Sequence, residues 1–272
     1  MLTIPPVVLA ELNTPFELTK DQIDFFSENG FIKIKSVLSP ETIEAMDVVI
    51  SAEVDRLNTQ HLAMKDRDTY GKAFLQIMNI WRNSDLVKQI VFSKRLAKIA
   101  ADLLEVEGVR LYHDQALYKE PGGGHTPWHA DQYYWPVATS KTVTAWIPLQ
   151  ETTFELGPLE FSAKSFEILD GRNKEISDES QQVLESLLKE AGFNHVVEPF
   201  DLGEMSFHTG WLYHRAGPNT TDRMRKVMTM IYMDKDMMLK APENKNQQAD
   251  WETWCPGAIV GEVIDTHLNP II

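Results

Sequence analysis

Histidine and aspartate two residues apart are the first sign of metal chemistry in this chain. The run Thr126-Pro-Trp-His-Ala-Asp-Gln-Tyr-Tyr-Trp-Pro136 is its densest cluster of uncommon residues. On an extended segment, strand periodicity turns His129 and Asp131 to the same face. One imidazole nitrogen and one carboxylate oxygen would then come from a single short piece of backbone. A third ligand must come from elsewhere, and His208 and His214 are the candidates. They stand an even number of residues apart, so spacing leaves the choice between them open. Two histidines and one carboxylate on one face of an octahedral ion leave three open positions, the arrangement typical of non-haem Fe(II) oxygenases. His-x-Asp by itself is common in loops and on polar strand faces, so the pair needs its third partner. His113, His125 and His195 are expected to be partly exposed or hydrogen-bonded structural histidines.

Arg225 begins the apolar-rich run Val227 to Met233. An arginine pointing into a barrel needs an anion, because an unpaired buried charge is costly. A dicarboxylate would meet it through a bidentate salt bridge. The plainer reading is a rim arginine paired with an acid such as Asp222. Tyr133, Tyr134 and Trp135 follow the His-x-Asp run and fit either an aromatic pocket or ordinary core packing.

Such residues need rigid elements to hold them. Residues 1 to 17, with Pro5, Pro6 and Pro15, read as an irregular arm. Thr19 with Gln22 forms a capping box for a first helix, and Gly30 stops it. Phe31, Ile32, Ile34 and Val37 read as β-like, and Ser39-Pro40 starts a helix running to about residue 58. The polar segment from His61 to Phe74 reads as a loop that either covers a site or faces solvent. Ser84 opens a helical pattern through Leu86, Ile90, Ile99 and Leu103 that ends at Gly108. Short runs then take over: Val109 to Lys119, Val143 to Leu149, His195 to Phe200, Glu204 to Phe207 and Lys226 to Met233, separated by Gly and Pro turns. That texture predicts a sandwich or barrel with one helical insertion around Ser180 to Lys189. The tail from Ala241 is expected to wrap back through Trp251 and Trp254. No internal repeat is visible, and nothing marks a second domain. One domain over 1-272 is the expectation, with a core of about 18–233 and the 241–272 tail packed on it.

Lys plus Arg is 26 and Asp plus Glu is 40, a formal charge of -14. That balance argues against nucleic acid and anionic membrane as partners. It gives no support to a ligand the size and charge of coenzyme A. Cys255 is the only cysteine, so no intrachain disulfide forms, and no apolar run is long enough for a membrane span. The plain reading is a cytoplasmic protein acting on a small molecule, with no obligate protein partner evident.

His129-x-Asp131, then His214 followed by Arg-Ala-Gly-Pro-Asn219, then Arg225 resembles the phytanoyl-CoA dioxygenase family of Fe(II)/2-oxoglutarate oxygenases. Tyr112-His-Asp-Gln115, Lys119-Glu-Pro-Gly122 and Thr126-Pro-Trp-His129 resemble the same family, especially its phytanoyl-CoA dioxygenase domain-containing members. The resemblance covers about Leu18 to Met233. It implies a double-stranded β-helix (jelly-roll, cupin-like) core, mainly β, with N-terminal helices packed against the major sheet. It implies Fe(II), 2-oxoglutarate and O₂ as cofactor and co-substrates. It assigns His214 as the third ligand and matches Arg225 to the arginine that grips the C5 carboxylate of 2-oxoglutarate. Gln115, Lys119 and Trp146 match positions in or beside the co-substrate pocket. Ala130 departs from the Gln many relatives carry, a loss that Gln115 or Gln132 would have to make good. Halogenating relatives lack the carboxylate, so Asp131 implies hydroxylation or another oxidation. A metalloenzyme that does not use 2-oxoglutarate and a non-catalytic binding protein are the two competing classes.

Overall fold

The computed structural model describes residues 2–272. Its N-terminal half is helical: α1 (Pro6–Asn13), α2 (Lys20–Asn29), β1 (Phe31–Ile34), α3 (Pro40–Leu57), α4 (Thr69–Ala73), β2 (Leu75–Met78), α5 (Asp85–Val91) and α6 (Lys94–Leu104). The first segment is therefore no irregular arm. Pro6 falls in the opening turn, where its missing N–H is harmless, and Val8 and Leu12 bury together one turn apart. Burying a Val or Leu side chain contributes about 1.5–3 kcal/mol. The Thr19–Gln22 capping box and left-handed Gly30 bound α2, and the Ser39 hydroxyl accepts the Thr42 N–H at the start of α3. The helical pattern from Ser84 divides in two, because Ser93 caps a fresh helix by accepting the Leu96 N–H. That second helix ends at Glu105, in a left-handed conformation, rather than at Gly108.

The C-terminal half supplies β3 (Val109–Tyr118), β4 (Thr126–His129), β5 (Thr142–Pro148), β6 (Leu159–Ser162), α7 (Asp178–Ala191), β7 (His195–Val197), β8 (Met205–Thr209), β9 (His214–Ala216), β10 (Val227–Asp234) and α8 (Lys245–Trp254). Two antiparallel sheets face each other. The major one has six strands in the order β1-β8-β5-β10-β3-β2, and the minor one has four, β4-β9-β6-β7. This is the double-stranded β-helix architecture. Alternation along the major sheet turns Ile147, Phe207, Met228 and Met230 toward the helices, where Ile43, Met46, Ile50 and Ile99 meet them in the largest apolar cluster. The other face, together with the minor sheet, encloses Phe31, Trp146, Phe161 and Phe200. α7 lies against β4, with Leu184 and Leu188 on Trp128 and Tyr213. The tail does return to the body: Trp251 packs beside Tyr112, Trp135 and Cys255. Among the described residues no helix is long and apolar enough to cross a membrane.

Candidate metal centre

Strand pairing brings the two distant histidines together. In the β4–β9 ladder His129 stands directly opposite His214. Asp131 is not on a strand; it opens a one-turn 3-10 helix after the extended residue Ala130, which still leaves it beside His129. His129 Nε2 lies 3.5 Å and His214 Nε2 3.6 Å from the same carboxylate oxygen, Asp131 Oδ1. One donor atom from each of the three residues falls within 4.8 Å of the others.

The tautomers are fixed from behind. His129 Nδ1 donates to the Pro127 carbonyl at 2.7 Å, and His214 Nδ1 donates to the Leu212 carbonyl at 3.0 Å. Each Nε2 then presents a lone pair to the carboxylate. Burial, then the neighbouring His129 and His214-flanking His208 imidazoles, hold His214 well below its ordinary range, so protonation does not relieve the repulsion. Burial alone would raise the Asp131 carboxyl, but His214, His129 and His208 outweigh it and hold it well below the usual carboxylate range. Two imidazoles and a carboxylate converging on one point are the donor set of a divalent transition metal. The residues fit the ion.

The other carboxylate oxygen is held by the opposite sheet. Thr144 Oγ1 donates to Asp131 Oδ2 at 3.1 Å, and His208 Nε2 approaches the same atom at 3.3 Å. Thr144 and His208 are register partners in the β5–β8 ladder. The open choice between the two histidines thus closes: His214 joins the triad and His208 braces its carboxylate. No sequence feature had pointed to Thr144.

A cavity of about 410 Å³ opens over the triad. Gln115, Trp146, Thr229 and Arg225 line it on the major sheet. Arg225 is 1 % exposed, and its NH1 donates to the Gly157 carbonyl at 2.7 Å while its Nε has no partner. It forms no salt bridge, with Asp222 or otherwise, among the described residues. Burial pushes its pKa down to about 9. The Trp146 ring lies 5.6 Å from the guanidinium carbon. Gln115 Oε1 accepts from Gln76, whose own Oε1 accepts from the Tyr70 hydroxyl at 2.7 Å. Lys119 is placed differently. Its Nζ donates to the Gly124 and Gly217 carbonyls, at 2.5 and 2.8 Å, outside the cavity lining. Burial and Arg225 push its pKa down to about 6. Gln132 is likewise turned away, donating to the Thr139 carbonyl.

Tyr70 and Phe74 line the cavity, so the 61–74 segment contributes its last turn to the site. Tyr134 and Trp135 line it too, whereas the Tyr133 carbonyl is tied to Gln247 of α8. His195 bonds Glu160 at 2.6 Å, as a structural histidine should. His113 does not behave that way: it is 4 % exposed, lines the cavity and leaves Nδ1 unpartnered. A wider cleft of about 900 Å³, lined by Gly30, Lys141, Arg172 and Lys240 among others, contains none of the triad.

Comparison with known proteins gives a family and a fold. The sequence model described as Phytanoyl-CoA dioxygenase (PhyH) matches residues 26–227. A "probable alpha-ketoglutarate-dependent hypophosphite dioxygenase" of Stutzerimonas stutzeri is 22% identical over 227 residues, 78% of this chain and 77% of that protein. Among solved structures, the non-haem alpha ketoglutarate dependent carbocyclase SnoK of nogalamycin biosynthesis has a TM-score of 0.76 at 21% identity, covering 96% of this chain and 100% of its own. The epimerase SnoN, in complex with Fe3+, alpha ketoglutarate and nogalamycin RO, has a TM-score of 0.74 at 20% identity, covering 98% of this chain and 99% of its own. At these identities the structural likeness is one of fold.

Proposed function

Because the chain belongs to the phytanoyl-CoA dioxygenase (PhyH) family, we propose that it is an Fe(II)- and 2-oxoglutarate-dependent oxygenase that oxidises a C–H bond of a small organic metabolite. Hydroxylation is the outcome favoured. The reaction consumes O₂ and 2-oxoglutarate and releases succinate and CO₂, with one oxygen atom entering succinate and the other the product. The observation that carries this reading is the unpaired, buried Arg225 guanidinium in the same cavity as the triad. A metalloenzyme without 2-oxoglutarate has no use for that charge, and a simple binding protein has no use for the triad.

His129, Asp131 and His214 hold the metal, and bound Fe(II) supplies the activation of O₂ that couples decarboxylation to substrate oxidation. Arg225 receives the distal carboxylate of 2-oxoglutarate as a bidentate partner, its plane set by the Gly157 carbonyl and Trp146. Gln115 offers an amide beside that carboxylate's path, and Trp146 forms a wall. Lys119 serves the co-substrate indirectly, by fixing the Gly124 and Gly217 carbonyls around Arg225's end of the cavity. Tyr70, Phe74, Tyr134 and Trp135 exclude water from the reacting carbon.

The relatives span several chemistries: one is named for hypophosphite, and two structures are titled carbocyclase and epimerase. An acyl-CoA substrate is disfavoured, since Arg225 is the sole Lys or Arg among the described residues lining the cavity. Anaerobic titration of the apoprotein with Fe(II) and then 2-oxoglutarate tests the reading. A metal-to-ligand charge-transfer band is expected, followed by succinate on admission of O₂. A protein that binds Fe(II) but gives no band and no succinate is not a 2-oxoglutarate oxygenase.

A further inference from the structure

The cavity has two chemically different ends. Arg225 bridges to Lys119 across the sheet, and His113 lies six residues further along β3, about 20 Å away at strand rise. Between them Gln115 and Trp146 stand level with Thr229. His113 and Thr144 both face Ile231 from opposite sides, so His113 sits at the level of the triad, two strand spacings or about 10 Å across. The 2-oxoglutarate placed on Arg225 therefore leaves the His113 end for the molecule to be oxidised.

A β-bulge builds that end. The β3–β10 register slips between Ile231 and Tyr232, leaving Tyr112 without a ladder partner. Such a slip lets neighbouring residues serve one side of a sheet, and both do so here. The Tyr112 hydroxyl donates to Asp250 of α8, while His113 lines the cavity with an unpartnered Nδ1 and its ring 5.7 Å from that of Trp254. Asp250 also lines the cavity and has no Lys or Arg partner among the described residues. Trp135, Tyr134 and Trp254 complete the walls. Glu175 at the rim is already engaged, by Asn246 at 2.9 Å and Lys245 at 3.8 Å.

We propose that this end binds the substrate through a protonated amine, with Asp250 as its counter-carboxylate and Trp135 and Trp254 as aromatic walls. An anionic head group would face Asp250 with no Lys or Arg at that end to offset it. A neutral one would leave the half-buried carboxylate with the Tyr112 hydroxyl but no cation to balance it. An ammonium answers both, and aromatic faces add cation–π attraction. Burial holds His113 down to about 4, so its imidazole is neutral and does not compete for the carboxylate. Burial raises the Asp250 carboxyl to about 7 against the pull of the Tyr112 hydroxyl, a group poised to ionise when a cation arrives. Tyr112 is a positioning residue.

This inference rests on the oxygenase reading for the place of the reacting carbon, so the test begins with protein already showing the Fe(II)–2-oxoglutarate band. Benzylamine, benzyl alcohol and benzoate serve as matched probes, titrated anaerobically against that band and by calorimetry. Benzylamine is expected to bind at least about tenfold more tightly than either isostere. In Asp250→Asn that preference falls to near unity with 2-oxoglutarate affinity unchanged, and Asp250→Glu restores part of it. Equal affinity for amine and alcohol, tighter binding of benzoate, absence of benzylamine binding, or a preference kept in Asp250→Asn overturns the proposal. Should Asp250→Asn lose 2-oxoglutarate binding, the wild-type preference decides alone. Absence of the band in the wild type instead overturns the oxygenase reading and not this one.

Discussion

At the scale of single residues, the centre is a carboxylate divided between two sheets. Asp131 Oδ1 faces the His129–His214 pair of the minor sheet, and Oδ2 faces the Thr144–His208 pair of the major one. Replacing His129, Asp131 or His214 with Ala is expected to abolish succinate formation; near-normal, iron-dependent turnover in any of them removes that residue from the site. Thr144→Val and His208→Ala leave the three donors in place but free the carboxylate to rotate. Each is expected to weaken Fe(II) binding by about 10–100-fold, the usual cost of losing a group that orients a ligand. Metal titration of the apoproteins measures it, and unchanged affinity means the bracing is idle. Arg225→Ala is expected to weaken 2-oxoglutarate binding by roughly 2–5 kcal/mol, as for loss of a buried charge partner. The ligand-free variant should melt no earlier than the wild type, since it loses an uncompensated charge. A lower Tm with unaltered 2-oxoglutarate affinity would instead mark Arg225 as a fold residue.

At the scale of elements, close backbone approach sets the co-substrate end. Gly157 has φ +73°, and a Cβ there would stand 2.3 Å from the Gly217 carbonyl oxygen. That closeness lets the Gly157 carbonyl accept from Arg225 while Lys119 holds Gly217. Gly157→Ala is expected to cost roughly 1–3 kcal/mol in urea unfolding, as overpacking does. It should also weaken 2-oxoglutarate binding while sparing Fe(II). Loss of both affinities together would mean that the two loops support the whole site rather than one end. The elements carrying the ligands are also the shortest. β4 has four residues and β9 three, too few for alternation to declare itself.

At the scale of the whole molecule, a second buried polar cluster lies on the helix side of the major sheet. Asp114 is buried, with the Ile80 N–H donating to Oδ1 at 3.0 Å and Oδ2 unpartnered. Asn79 Nδ2, Trp81 Nε1 and the Tyr232 hydroxyl are unpartnered as well. Burial raises the Asp114 carboxyl from 3.8 to about 7, although backbone N–H groups of Ile80 and Trp81 pull the other way. The folded chain then holds this proton more tightly than the unfolded chain. Its stabilisation is complete below the unfolded value and is lost as pH rises through about 7. Asp114→Asn, which stays neutral, should flatten the fall in Tm across that window. Parallel melting profiles for variant and wild type would show that Asp114 titrates as an ordinary surface acid.

Local chemistry was legible in the chain by itself. The His129-x-Asp131 pair, the Thr19–Gln22 and Ser39-Pro40 caps and the long strands β3, β5 and β10 all depend on neighbours a few residues away. Their physics is therefore written in adjacent side chains, whereas for Arg225 such neighbours favoured a rim position. Spacing left His208 and His214 open, the resemblance assigned His214, and the tertiary structure supplies the physical reason. Even spacing would put both on one face of a continuous strand, but the chain turns at Gly210–Tyr213 and passes from the major sheet to the minor one. The two imidazoles then meet Asp131 from opposite walls. The same reason hid Thr144, the cavity role of His113 and the reach of Asp250: each acts on a group far away in sequence, through register and a bulge that no local pattern encodes.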